Sequence, residues 1–181
     1  MPVFLSRIFR AAKLDSSVYV EIEPDKPARG QALAVIIFSA IAAGIGDLQD
    51  GGLSGFLAGA LAALAGWFLW TLVAYFAGAK LLPGHKKYRV AASGYGRMLT
   101  YAGFASAPGL VRVLEIIPGL RNAIFLITAV WMIAATVIGM RQALIYRSTL
   151  KAAGVCISAW FIQVSAIGVA IYFIRRYAGL V

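Results

Sequence analysis

Residues 53–79 read LSGFLAGALAALAGWFLWTLVAYFAGA, a stretch without one charged side chain. An α-helix rises about 1.5 Å per residue, so about 20 residues cross the roughly 30 Å hydrocarbon layer of a bilayer. This stretch is longer than that, and it sets the reading of the whole chain. Four more apolar segments follow the same measure: residues 27–45 before it, and residues 97–117, 123–143 and 152–174 after it. The chain has 181 residues, 61% of them hydrophobic and 13% charged. So short a chain has too little interior to hide that much apolar surface from water. Disorder is excluded by the same figures, because it needs low hydrophobicity and high charge. The expected fold is an all-α integral membrane protein: a bundle of five transmembrane helices (residues 27–181) behind a cytoplasmic segment (residues 1–26) with a short interfacial helix.

The third segment is the weak one. It carries Pro108, Arg112 and Glu115, and Pro108 should break the helix by removing a backbone donor. A four-span alternative satisfies the charge rule nearly as well. Length favours five, since residues 99–111 are apolar apart from small hydroxyl groups and Tyr101 and need burial.

Lys and Arg number 17 against 7 Asp and Glu, for a net charge of +10. Basic residues cluster before the first span (Arg7, Arg10, Lys13, Lys26, Arg29), between the second and third (Lys80, Lys86, Lys87, Arg89, Arg97), and between the fourth and fifth (Arg141, Arg147, Lys151). The loop GDLQDGG carries none. This spacing predicts a cytoplasmic N-terminus and, for an odd number of crossings, a C-terminus outside. It also assigns the positive charge to the membrane rather than to nucleic acid.

Residues 1–14 are too basic for a secretory signal core and are expected to stay as an interfacial helix. Phe4, Leu5, Ile8, Phe9 and Ala12 would form its apolar face. Arg7, Arg10 and Lys13 would sit opposite, among lipid headgroups. The alternating VYVEIE at residues 18–23 predicts a short extended piece. Asp25 is placed to cap the first span and Pro27 to start it.

Catalysis needs a proton carrier, a nucleophile or a metal. The one histidine, His85, lies among lysines, and Cys156, the one cysteine, sits in an apolar run. No nucleophile-elbow, zinc-protease or phosphate-loop pattern occurs. The reading is a non-enzymatic protein without cofactor or metal. One polar constellation remains: Arg112 and Glu115, three apart on one helical face beyond Pro108. It is a candidate ion or partner contact, or a structural pair at the outer interface. The spacing of Gly55 and Gly59, and Gly139 in the fourth span, marks close helix packing, within the bundle or against a partner.

From residue 97 onward the sequence resembles the Yip-domain family of Rab-interacting integral membrane proteins and their bacterial relatives. The residues that carry the likeness are RMLTYAGFASAPGLV, EIIPGL, AVWMIAATVIGMRQAL and STLKAAGVCISAWF. The family pattern falls on Gly103, Phe104 and Pro108, on Ile117 and Pro118, on Trp131, and on Lys151 and Ala152. The resemblance implies a five-span layout with the N-terminus inside, a bacterial-type inner-membrane member, and membrane proteins or lipid as partners. Eukaryotic members have a long acidic N-terminal region, whereas this N-terminus is short and basic. Rab-type GTPase binding is therefore not carried over. The functional expectation is a membrane adaptor or scaffold. The alternative is a small ion or solute transporter or channel subunit using the broken third span.

Overall fold

A computed structural model describes residues 3–81 and 94–177, apart from the side chains of residues 50, 79–81, 170–172 and 174–175. His85 and the basic cluster around it lie outside these residues. The described residues are helical, with no strand among them. Two short helices come first, α1 (Val3–Ala12) and α2 (Ser17–Ile22). Four long ones follow: α3 (Ala28–Gln49), α4 (Gly51–Gly78), α6 (Arg121–Ala143) and α7 (Thr149–Tyr177). Between α4 and α6 lie α5 (Tyr95–Ala105) and a 3₁₀ helix (Ala107–Ile116). The four long helices are long and apolar enough to cross a membrane. The third apolar segment is not among them, because it divides into α5 and the 3₁₀ helix.

That division has a local cause. Pro108 has no N–H to give and stands in the first turn of the 3₁₀ helix, where none is needed. The Ser106 N–H is shared between the carbonyls of Ala102 and Gly103, and Gly109 donates back to Ser106. The chain tightens there and stays tight for ten residues, well beyond the usual three or four. Residues 100–109 are buried without a gap, so this segment runs through the middle of the bundle.

α3 and α4 form an antiparallel hairpin. Gly52 makes its bend with φ 55° and ψ −143°, a conformation that suits a residue without a Cβ. Close approach follows on both sides. A Cβ on Gly44 would lie 2.6 Å from the Phe56 carbonyl, and one on Gly55 2.6 Å from the Asp47 carbonyl. α3 and the third segment run in the same direction. Gly103 faces Ala32, Gly109 faces Ser39, and Gly46 faces Glu115. α6 returns antiparallel to it, with Gly139 against Ala105, Met132 against Gly109, and the Arg112 guanidinium over the Phe125 ring. α7 runs antiparallel to α4, where Gln163 donates to the Gly66 carbonyl at 3.0 Å and Val155 packs near Gly78.

The core gathers at the end of the bundle where α3 starts and α6 ends. Tyr19, Ile22, Met98, Tyr101, Phe104 and Met140 are buried there. Tyr101 and Tyr19 stack with ring centroids 5.3 Å apart, and the Tyr101 hydroxyl donates to the Tyr19 carbonyl at 2.9 Å.

Two local expectations are corrected. Residues 18–23 are not extended: Ser17–Ile22 is helical, because Val18, Tyr19 and Ile22 then share one face and all three are buried. Six alternating residues fit either period, and burial decides. Asp25 does not cap α3 with its side chain, since its carboxylate is taken by Arg7.

Candidate functional site

The pair singled out beyond Pro108 is closed on itself. Arg112 Nε donates to Glu115 Oε1 at 2.7 Å and Nη2 donates to Oε2 at 3.2 Å. The 3₁₀ turn, with three residues per turn, eclipses positions 112 and 115 and so brings the fork onto the carboxylate. Glu115 is 1% exposed and backs directly onto Gly46 of α3. Arg112 is less covered, with a side-chain exposure of 21%, and its guanidinium carbon sits 5.4 Å from the Phe125 ring centroid. Pro108 stands at the start of this 3₁₀ helix. It is buried and sets the 3₁₀ path that places Arg112 at this end.

The candidate packing glycines all face inward. Gly55 and Gly59 meet Asp47 of α3, whose carboxylate in turn accepts from Arg121 at 2.7 Å. A Cβ on Gly139 would lie 3.2 Å from the Ala105 Cβ and 3.3 Å from the Tyr101 carbonyl. The surfaces left open are the apolar outer faces. In α4 only 6% of the apolar stretch is buried, against 50% in α3.

The N-terminal basic residues are placed differently from the expectation. α1 turns its arginines toward the protein. Arg7 is 5% exposed and donates to Glu21 at 2.9 Å, to Asp25 at 2.5 Å and to Gln31 at 2.8 Å. It is a buried tie between α1, α2 and α3. Arg10 is half-buried and pairs with Asp15 and Glu21, while Lys13 is exposed. Val3, Leu5 and Phe9 are exposed instead. The physical reason is that a buried charge must be paired, and Glu21 and Asp25 supply the partners. Burial alone would lower the Arg7 pKa, but the hydrogen bonds it donates to Glu21 and Asp25, with their charges, outweigh that and raise it. Hydrogen bonds from Ser17 and Arg10 hold Asp15 down to about 2, and those from Arg7 and Arg10 lower Glu21. Trp131 completes the docking of α1, its indole N–H donating to the Ala12 carbonyl at 2.7 Å.

Sequence reasoning missed a cavity of about 720 Å³ between the long helices. Trp67 and Trp70 of α4, Trp160 and Phe161 of α7, and Met132 and Ile133 of α6 supply its bulk. Small residues of α3 and α5 line the inner wall, and Arg112 stands at one end. The sequence offers a faint signal, namely aromatic residues on α4 and α7 facing alanines on α3. No period within one segment reveals a space that six elements share.

Among the described residues no group of three or more His, Cys, Asp or Glu side chains is placed to hold a metal. No curated protein and no solved structure matches the chain. The Yip1 domain family model matches residues 16–171, from α2 to within α7. That covers the long helices, the helix–3₁₀ third segment and the Trp131 region where the sequence pattern falls, and the chain belongs to the Yip1 domain family.

Proposed function

We propose that this integral membrane protein crosses the bilayer five times, with its N-terminus in the cytoplasm of a bacterial cell and its C-terminus outside. It acts without catalysis, by binding other membrane proteins or organising lipid around its outer faces. Support for the fifth crossing comes from the register of the third segment. Its contacts climb α3 in parallel from Ala32 through Ser39 to Gly46. Those fourteen α-helical rises span about 21 Å, a large part of the hydrocarbon layer.

The observation that carries the functional reading is the outer surface of α4. It is apolar along its length and little buried, with Leu53 71% and Leu61 64% exposed. Gly55, Gly59 and Gly66 are turned toward neighbouring helices, so what it offers a neighbour is a face of leucine, alanine and phenylalanine. Inside lipid, such faces associate by close packing rather than by exclusion of water.

The test is a photoreactive residue at Leu61 in native membranes. Crosslinks to a second membrane protein are the expected result. Adducts with lipid alone would overturn the adaptor reading, and tags on the two termini found on one side would overturn the five crossings. The transport reading relied on Arg112 and Glu115 as an available site. Their fork closes on itself, and the buried carboxylate is spent on it.

A further inference from the structure

We propose that the cavity between the long helices is a phospholipid site, with one acyl chain inside it and the lipid phosphate on Arg112. This rests on the reading of the chain as a membrane protein, and not on the adaptor role. Three observations meet here.

The cavity measures about 720 Å³, within the about 300–1,000 Å³ usual for small-molecule sites. Its wall is almost entirely apolar, so the occupant is a hydrocarbon chain.

Its depth is that of one leaflet. On α6 it runs from Phe125 to Thr136, eleven rises or about 16 Å. Half of a roughly 30 Å hydrocarbon layer is about 15 Å.

Its charge is at the correct end. Arg112 and Phe125 lie at one end, beside the α3–α4 bend where Gly46 meets Glu115. Ala102 and Cys156 line the other end. Arg112 uses Nε and Nη2 on Glu115. A guanidinium has five N–H donors, so Nη1 still has two to offer a phosphate oxygen. Glu115 has a different task. It holds the arginine through Nε and Nη2 and is itself covered by α3, so the guanidinium is fixed where it lines the cavity. The occupant is therefore a lipid of the leaflet on the α3–α4 bend side, its head level with Arg112 and its tail pointing to the bilayer centre.

The experiment uses the full chain in detergent micelles with dioleoyl phosphatidylglycerol as the probe and dioleoylglycerol as its phosphate-free counterpart. Bound lipid is counted by native mass spectrometry. The cavity also contains its own reporter, because Cys156 is the only thiol in the chain and lines the far end. Expected results are one phospholipid per chain and slower alkylation of Cys156 by an apolar maleimide when it is bound. Ala129→Trp, which fills the cavity, should weaken binding by about tenfold or more. Arg112→Gln with Glu115→Gln should bind the two lipids equally, whereas the wild type prefers the phospholipid. Equal binding by wild type and Ala129→Trp would overturn the proposal. So would equal affinity of the wild type for both lipids, or Cys156 reactivity indifferent to lipid. If Ala129→Trp does not fold, the wild-type Cys156 measurement takes its place. Loss of the lipid with protein crosslinks at Leu61 intact would sink this site and leave the adaptor reading standing.

Discussion

Arg112→Met should be among the most damaging single substitutions in the chain. It removes both hydrogen bonds, at 2.7 and 3.2 Å, from a carboxylate that is 1% exposed and pressed against Gly46. Breaking a buried pair by deleting one partner costs about 3–5 kcal/mol. At 1.4 kcal/mol per decade, the folded-to-unfolded ratio falls by about two to almost four decades. Total stabilities are about 5–15 kcal/mol, so much of the margin is lost. Arg112→Met combined with Glu115→Met leaves no charge behind, and a buried pair replaced by apolar groups is often neutral. The stacking of Arg112 on Phe125 is lost in both proteins and cancels. The double variant should therefore recover most of the loss, with a coupling of about 2–3 kcal/mol in the cycle. Unfolding by sodium dodecyl sulfate in mixed micelles, followed by circular dichroism, measures all four corners. The reasoning fails if Arg112→Met lies within about 1 kcal/mol of wild type, or if the double variant is as unstable as the single one.

Gly103→Leu should part α3 from the third segment. A bare Cβ there already lies 2.8 Å from the Ala32 Cβ and 2.9 Å from the Ala32 carbonyl, and overpacking costs about 1–3 kcal/mol or more; the same unfolding assay reads it. Tyr19→Phe should leave stability unchanged or raise it, because the buried Tyr19 hydroxyl has no hydrogen-bond partner. Trp131→Phe should cost about 0.5–1.5 kcal/mol and expose the α1–α2 connection to protease, since it deletes the bond to the Ala12 carbonyl. Acid should loosen the N-terminal layer in a defined window. Asp15 and Glu21 titrate below their ordinary values in the folded chain. The stability they give is therefore whole above the unfolded values and lost as pH falls from about 4.5 toward 2. In a variant with Trp67, Trp70 and Trp160 replaced by Phe, the fluorescence of Trp131 should shift across that window and stay constant from pH 5 to 8.

Apolar length alone located every long helix, because a span must hold about 20 residues that lipid will accept. Burial of the third segment was legible too. Residues 99–111 carry no charge, and the break at Pro108 follows from a missing N–H. What length could not show is that the break propagates as ten residues of 3₁₀ helix. That outcome depends on Ser39 and Met132 crowding Gly109 from two other helices. The i, i+3 spacing of Arg112 and Glu115 foretold their pairing, but not the cover that Gly46 gives, which comes from nearly seventy residues away in sequence. α1 shows the same limit from the other side. Its amphipathic period is plain, yet the period does not say which face turns inward. Glu21 and Asp25 decide that, by offering Arg7 three hydrogen bonds together with Gln31.

The placement of the 3₁₀ helix ties these points together. Irregular backbone at membrane depth is tolerated only where protein covers it, because lipid satisfies no N–H or C=O. The start of the 3₁₀ helix, Ala107–Gly109, meets that condition, buried against α3 and α6. Cover begins to fail at Leu110, and Val113, Leu114 and Ile116 are exposed. By then the segment has drawn level with the end of α3, where Gln49 donates to the Ile116 carbonyl. The small residues of α3 and the third segment thus do one job together. They let an element too irregular to face lipid pass through the centre of the bundle. The larger side chains are displaced outward to α4, α6 and α7, and the cavity opens among them.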